Sequence, residues 1–342
     1  MTISRLSPRI AVVGVSTLIG GAVIDELRAR KMPFSELHAL DDERHIGARP
    51  ADDEAKLKVG DVAAFDFSRV DLVFFCGRAA LAERYASVAA EHAWVVDGSA
   101  AFRARAGVPL VAADVNPSAL DLIGARGLIA LPGSASVALA TVLKPLHVLA
   151  GLMRVDVATY QAVSGSGRGG MDELAAETVA MLSGKQAKGR AFGRQIAFNV
   201  IPQVDALEAD GMTREERRLS DETRRVLDLP ALAVNATAVR VPVFFGHSMA
   251  IHAVFERAID AAGATAVLQR GNGLTVIDPD SSAEFPTPAT LAMAPDRVYV
   301  GRIRADLTRD RGLNIWVVAD NVRKCAAHNA VSVAQILVNR SQ

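Results

Sequence analysis

Through the first hundred residues, short and uniformly apolar runs alternate with stretches whose apolar residues recur every three or four positions. Arg9–Val13, Leu37–Leu40, Leu72–Phe75 and Trp94–Val96 make up the first class. Runs that are apolar at nearly every position, rather than at every second one, read as strands of a parallel sheet covered on both faces. The stretches running to about Arg30 and from Leu81 to Glu91 carry the helical period. Strand and helix in alternation predict an α/β half built on a doubly wound sheet. After residue 150 the pattern changes to alternating runs such as Arg154–Val163, which predict a second, partly antiparallel sheet. Ile315–Val318 reads as a further strand and Asp320–Val338 as a final helix.

Four stretches place polar chemistry at the ends of these elements. Leu131–Pro145 reads LPGSASVALATVLKP, a turn-forming segment that runs straight into an apolar helical pattern. Ser134 therefore sits at a helix N-terminus, where backbone N–H groups and the helix dipole favour a thiolate, a phosphate or an oxyanion. The turn Gly14-Val15-Ser16-Thr17-Leu18-Ile19-Gly20 follows the first strand and opens a helix, the order found in dinucleotide-binding units, so Gly14, Thr17, Leu18 and Ile19 are candidate phosphate-turn residues. At the end of the second predicted strand stand Asp41, Asp42, Glu43 and Arg44. An acid there suits a free ribose 2′-hydroxyl and repels a 2′-phosphate, so Asp41 and Asp42 favour NAD over NADP while Arg44 pulls the other way. A solvated acidic turn is the alternative. Thr213–Leu227, TREERRLSDETRRVL, reads as a charged helix with Thr213 as N-cap and Glu216 as its capping-box partner.

Composition narrows the class without naming a reaction. The chain has 342 residues, half of them hydrophobic, which suits two domains with real cores. Its 38 basic and 38 acidic side chains cancel and no Lys/Arg cluster stands out, so neither nucleic acid nor a membrane is expected as partner. The opening MTISRLSPRI is too short and polar for a signal peptide, which makes the cytoplasm the expected location. Two cysteines, Cys76 and Cys325, are too few for a disulfide framework or a structural zinc site. Cys76 ends an apolar run and reads as a small buried hydrophobe, whereas Cys325 stays open as a reactive thiol. No metal is implied.

Several of these stretches resemble aspartate-semialdehyde dehydrogenases. In that family PNCST precedes an apolar helix and LKPL, and the likeness continues through YQAVSGSGRGGMDEL (Tyr160–Leu174), RVPVFFGHS (Arg240–Ser248) and DNVRKCAAHNAV (Asp320–Val331), so that it covers Ile10 to Val338. It is closest to the Usg-type paralogues, which lack the catalytic cysteine. The resemblance implies a Rossmann-like dinucleotide-binding domain at 1–132, completed by a C-terminal helix at 320–342, and an α+β catalytic and dimerisation domain at 133–319. It also implies NAD or NADP as cofactor, phosphate and an amino-acid semialdehyde or similar carboxylate as ligands, and a homodimer. Position by position, Ser134 falls where the family has its nucleophilic cysteine, Gln161 on the substrate-orienting glutamine and His247 on the general acid/base. Arg240 falls on the carboxylate-binding arginine, Arg103 on the phosphate-gripping arginine of DNSSAFR, and Glu215 and Arg218 on the glutamate and lysine of EEMK. Asn321 and Lys324 fall near the cofactor. The sequence departs from the pattern at Thr17, where GATGAVG has glycine, at Gly98 for asparagine, at Arg218 for lysine and at Met249 for glutamate.

Serine in the nucleophile's place changes the chemistry. A thiolate forms at a pKa near ~8.5 or below, while a serine hydroxyl loses its proton only as it attacks, to an adjacent base. Three readings follow. One is a dehydrogenase homologue of low or no activity, the second an active NAD-linked oxidoreductase on a related aldehyde, and the third a serine-dependent hydrolase using Ser134 and His247.

Overall fold

The computed structural model describes residues 7–47, 57–186, 189–277, 284–293 and 296–340. The opening residues 1–6, on which the signal-peptide expectation partly rests, lie outside these. The chain divides into two compact units, 1–133 together with 326–342, and 134–325.

The first unit follows its apolar runs. Strand β1 (Arg9–Val13), helix α1 (Leu18–Ala29), β2 (Glu36–Asp41), β3 (Gly60–Asp61), β4 (Leu72–Phe75), α2 (Ala79–Ala90), β5 (Trp94–Asp97) and β6 (Gly127–Ala130) form one sheet in the order β3-β2-β1-β4-β5-β6, with every pairing parallel. All four residues of β4 and of β5 are buried, as a sheet covered on both faces requires. The order reverses direction between β1 and β4, so the loops after these strands flank the crevice in which doubly wound sheets hold ligands.

The second unit opens with α3 (Ser134–Ala150) and β7 (Leu152–Gln161), followed by α4 (Gly167–Leu182), α5 (Arg214–Leu227), β8 (Ala233–Arg240), β9 (His247–Phe255), α6 (Ala261–Gln269), β10 (Leu274–Val276), β11 (Val298–Ala305) and β12 (Gly312–Ala319). Its sheet runs β10-β11-β12-β9-β7-β8 and is mixed: β11, β12, β9 and β7 are antiparallel, while β8 joins β7 and β10 joins β11 in parallel. Helix α3 packs on one face of this sheet, where Val155, Val157 and Thr159 of β7 are buried; Asp156, Ala158 and Tyr160 point the other way and are half-buried. The strand expected to run to Val163 ends at Gln161, because the N–H groups of Val163 and Ser164 leave the ladder to reach Val243 O at 2.9 Å and Phe244 O at 3.1 Å.

The helix expected from Asp320 starts later. Residues Arg323–His328 form a π turn and only Asn329–Arg340 is α-helical (α7). The cause is the Asp320 side chain, whose Oδ1 accepts from the N–H of Val322 (2.8 Å) and Arg323 (2.7 Å), while Cys325 N–H reaches back five residues to Asp320 O at 3.0 Å. Aspartate caps more readily than it continues a helix. Helix α7 then completes the core of the first unit, where Val331, Ala334 and Leu337 join Ile10, Val23 and Leu27. Arg30 fastens it by donating to Ser332 Oγ at 2.9 Å and Gln335 Oε1 at 2.8 Å.

The capping box read from the sequence is present on α5: Glu216 N–H donates to Thr213 Oγ1 at 3.2 Å and Thr213 N–H to Glu216 Oε2 at 2.7 Å. The other Glu216 oxygen accepts from Ala238 N–H on β8 at 2.8 Å, so one buried carboxylate joins helix to sheet. Thr213→Ala should cost about 1 kcal/mol, the usual value of a lost N-cap. Glu216→Ala should cost about 2–4 kcal/mol, because two buried N–H groups lose their acceptor. Urea unfolding of the two variants checks the order; equal losses would show that the bond to Ala238 contributes nothing.

Candidate active site

At the carboxyl edge of the first sheet, β1 gives way to a turn that only glycine can make. Gly14 has φ +85°, and a Cβ there would lie 2.4 Å from Cys76 O; a Cβ on Gly20 would lie 2.2 Å from Gly14 O. The helix start is thereby drawn against the sheet. Thr17 is the N-cap of α1: its hydroxyl donates to Gly14 O at 2.7 Å and accepts from Gly20 N–H at 3.0 Å. The hydroxyl of Thr17, which replaces the glycine of the family pattern, is thus spent within the turn. Leu18 and Ile19 are the first two residues of the helix, so their N–H groups have no acceptor within it and face the side where an anion is favoured.

Of the acidic turn, Asp41 is buried and Asp42 half-buried, while Glu43 and Arg44 are exposed to solvent. Asp41 is fully buried, with Oδ2 accepting from Ser16 N–H at 2.9 Å and Oδ1 from Asp42 N–H at 2.9 Å. Asp42 is met by Arg44 Nη2 and Arg78 Nη1, both at 2.6 Å, and by His45 Nδ1 at 2.7 Å. The Arg44 hydrogen bond above all holds the Asp42 carboxyl far below the usual range, with His45 and Arg78 adding to it against the cost of burial. Asp41, Asp42 and His45 bring carboxylate and ring atoms within 4.8 Å of one another, but the guanidinium of Arg78 already supplies the cation there. At the far side of the same edge, Arg103 donates through Nε to Leu131 O (2.9 Å) and through Nη2 to Gly98 O (3.2 Å), so it ties together the loops after β5 and β6.

The second unit gathers Ser134, Gln161, Glu215, Arg240, His247 and Asn321. Ser134 opens α3, and its hydroxyl donates to Asn321 O at 2.8 Å. The Asn321 side chain holds Ser164 Oγ at 3.0–3.1 Å and accepts from Gly246 N–H at 3.1 Å, so this buried residue joins three loops. Gln161, the last residue of β7, donates through Nε2 to Glu215 Oε1 at 2.9 Å. Arg240, the last residue of β8, donates through Nη1 to Ala162 O at 2.6 Å. Burial draws the Arg240 guanidinium down to about 10, and Glu215 partly offsets this.

His247 begins β9 and is buried. Its Nδ1 accepts from Ala162 N–H at 3.1 Å, which assigns the proton of the neutral ring to Nε2. Protonating Nδ1 would set two donors face to face. Burial, and then the charge of Arg240, push the imidazole down to about 3. A Cβ on Gly165 would lie 2.8 Å from Arg240 Nη1 and 3.6 Å from His247 Nε2, so the absence of a side chain there opens the ground between guanidinium and ring.

Other expected residues are placed differently. Arg218, one turn along α5 from Glu215, donates to Asp205 Oδ2 at 2.9 Å and so already has a counterion. Met249 lies wholly inside the core, where a glutamate would need a partner. Cys76 and Cys325 are both buried, and burial, followed by the charges of Asp97 and Asp41, pushes the Cys76 thiol far up. The reactive-thiol reading of Cys325 loses its support, since a thiolate needs access and a polar setting. Ser164, Gly165 and Asp205 were not singled out from the sequence. A glycine-rich loop was its one signal for the first two, and nothing marked Asp205.

Comparison with known proteins agrees with this layout. Residues 9–123 match the model of the semialdehyde dehydrogenase NAD binding domain and residues 143–324 that of the semialdehyde dehydrogenase dimerisation domain. The chain is 40% identical over 329 residues to an aspartate-semialdehyde dehydrogenase of Legionella pneumophila, covering 96% of this chain and 95% of that one. It is 38% identical to a USG-1 protein homolog of Azotobacter vinelandii, covering 97% and 98%. The crystal structure of aspartate semialdehyde dehydrogenase II from Vibrio cholerae, complexed with ASA, superposes with a TM-score of 0.92 at 38% identity, covering 97% of this chain and 98% of that one. With both family models matched and these relatives aligned along nearly their whole length, the chain belongs to the aspartate-semialdehyde dehydrogenase family.

Proposed function

We propose that this protein is a nicotinamide-binding member of the family that receives a small semialdehyde-like carboxylate in its second unit, has Ser134 in the nucleophile's place and is a poor dehydrogenase. The observation that carries this reading is the proton arrangement around Ser134 and His247. The serine proton points to a backbone carbonyl, and the histidine offers an N–H at Nε2 and an occupied acceptor at Nδ1. A thiolate needs no base at the moment of attack, and an Nε2–H donor suits it. A serine needs one, and the ring has no vacant nitrogen to serve. The same fact removes the main support for a serine hydrolase.

The ligand roles rest on charge and placement. Arg240 supplies a buried guanidinium for a carboxylate, Gln161 is steadied by Glu215, and His247 Nε2–H is a donor for a carbonyl oxygen. The cradle of Gly14 before α1 and Gly20 in its first turn fits a dinucleotide pyrophosphate, with the N–H groups of Leu18 and Ile19 as donors. A bound nicotinamide would supply the hydride acceptor. NAD is the favoured form, since Asp42 accepts a ribose hydroxyl without added charge. Arg103 and Arg218 would grip phosphate only by giving up their present acceptors. The half-buried face of the second sheet, with Ala158, Tyr160, Ala250 and Trp316, would pair with a second copy to make a homodimer.

Four outcomes test this reading. With aspartate semialdehyde, phosphate and either cofactor, kcat should fall below ~1 per second, the low end of ordinary enzymes. Turnover within the ordinary range would overturn the assignment. Gly165→Ala should weaken binding of a small dicarboxylate such as succinate at least about tenfold while the melting temperature barely moves, because the added methyl meets the end of the Arg240 side chain. Light scattering should give twice the chain mass, and Ala250→Arg should lower it; a monomeric wild type refutes the dimer. The fourth concerns pH. The ring titrates near 6.5 when unfolded and about 3 when folded, so the unfolded chain binds the extra proton between these values. Stability is full above pH 6.5 and declines as pH falls toward 3, and His247→Gln should remove about 3 kcal/mol of the loss between pH 6.5 and 4. An unchanged slope would show that the ring is solvated.

A further inference from the structure

Arg78 belongs to no motif, yet it joins two parts of the nucleotide site. It follows Gly77, whose φ is +85°, and occupies the N-cap position of α2, where no side chain caps the helix. A cation at a helix N-terminus is locally unfavourable, and Ser, Asp or Asn would cap better. The guanidinium is instead directed across the carboxyl edge of the sheet. Nη1 lies 2.6 Å from Asp42 Oδ2 and 3.0 Å from Asp41 Oδ1; Nη2 donates to Ser16 Oγ at 2.7 Å and lies 3.4 Å from His45 Nε2. Ser16 is in the phosphate turn and Asp42 at the end of β2, so one side chain spans the ground between pyrophosphate and ribose.

Asp41 and Asp42 carry two negative charges, which Arg44 and Arg78 offset, while the exposed Glu43 beside Arg44 adds a further negative charge. A ribose 2′-hydroxyl enters this group as a donor to Asp42 and changes no charge. A 2′-phosphate would add nearly two negative charges beside carboxylates whose cations are already engaged.

We propose that Arg78 is the positioning residue that sets dinucleotide choice: bound by Asp41 and Asp42 it holds the Asp42 carboxylate as an acceptor for the ribose hydroxyl, and released from Asp42 it becomes the cation for a 2′-phosphate. This rests on the cofactor reading above and adds to it a residue and a switch. Lysine is a poor substitute, because a point donor on a flexible stem does not bridge Asp42 and Ser16 in one fixed geometry.

The test is calorimetric titration of NAD and NADP into the full-length protein and its Asp42→Asn, Arg78→Met, Arg78→Lys and Asp42→Asn/Arg78→Met variants, with melting temperatures as a check of folding. Asp42→Asn should raise the NADP/NAD affinity ratio by at least about tenfold. Arg78→Met should weaken NAD by about tenfold and NADP by more, Arg78→Lys should fall between it and the wild type, and the double variant should lose the NADP gain. A merely structural role would lower both affinities equally and leave the ratio where it was. If Asp42→Asn gains NADP binding equally with and without Arg78, Arg44 is the phosphate cation and the proposal fails. If the wild type binds neither dinucleotide, the cofactor reading itself fails and this one with it.

Discussion

A neutral imidazole has one nitrogen that donates and one that accepts, and at His247 the backbone has assigned them. The N–H of Ala162 takes Nδ1, so Nε2 carries the proton into the site. That one bond depends on the end of β7, where the chain leaves the ladder after Gln161 and turns through Ala162 and Val163. The same turn gives the carbonyl of Ala162 to Arg240, so a single peptide neighbourhood orients both a cation and a donor. Shifting β7 by one residue would carry the Ala162 N–H and carbonyl away from His247 and Arg240 together.

Around that bond the loops are tied by polar side chains. Asn321 meets Ser134, Ser164 and Gly246, and Asp320 beside it bends the chain into the π turn. In the first unit Asp41 plays the comparable part, holding the N–H of Ser16 from beneath the phosphate turn. In both places a buried polar side chain accepts from a loop N–H and meets further polar side chains, which sets loop geometry more sharply than apolar packing does. The ligand groups stand on strand ends and helix starts whose positions these residues determine.

The doubly wound sheet was legible because its strands are buried on both faces and so are apolar at nearly every position. The capping box at Thr213 and Glu216 was legible because it depends on spacing alone. The length of the last helix was not, since the bonds of Asp320 to Val322 and Arg323 compete with helical propensity and periodicity does not register them. The site residues came together largely through resemblance; composition alone would have left Gln161 and Glu215 as unrelated polar positions. What no sequence pattern carried was pairing: that Arg218 faces Asp205, that Arg103 faces carbonyls, or that Thr17 turns its hydroxyl inward. Those are facts of side-chain direction, fixed only once neighbouring loops have met.

Helix α7 lies at the end of the chain but closes the core that β1 and α1 begin. During synthesis the second unit, continuous in sequence, emerges whole while the first still lacks the wall formed by Val331, Ala334 and Leu337. Until that helix leaves the ribosome, Ile10, Val23 and Leu27 remain partly uncovered, and Arg30 has neither Ser332 nor Gln335 to hold. The unit made first is therefore finished last, and a nascent chain of this design keeps an apolar surface open through nearly the whole of its translation.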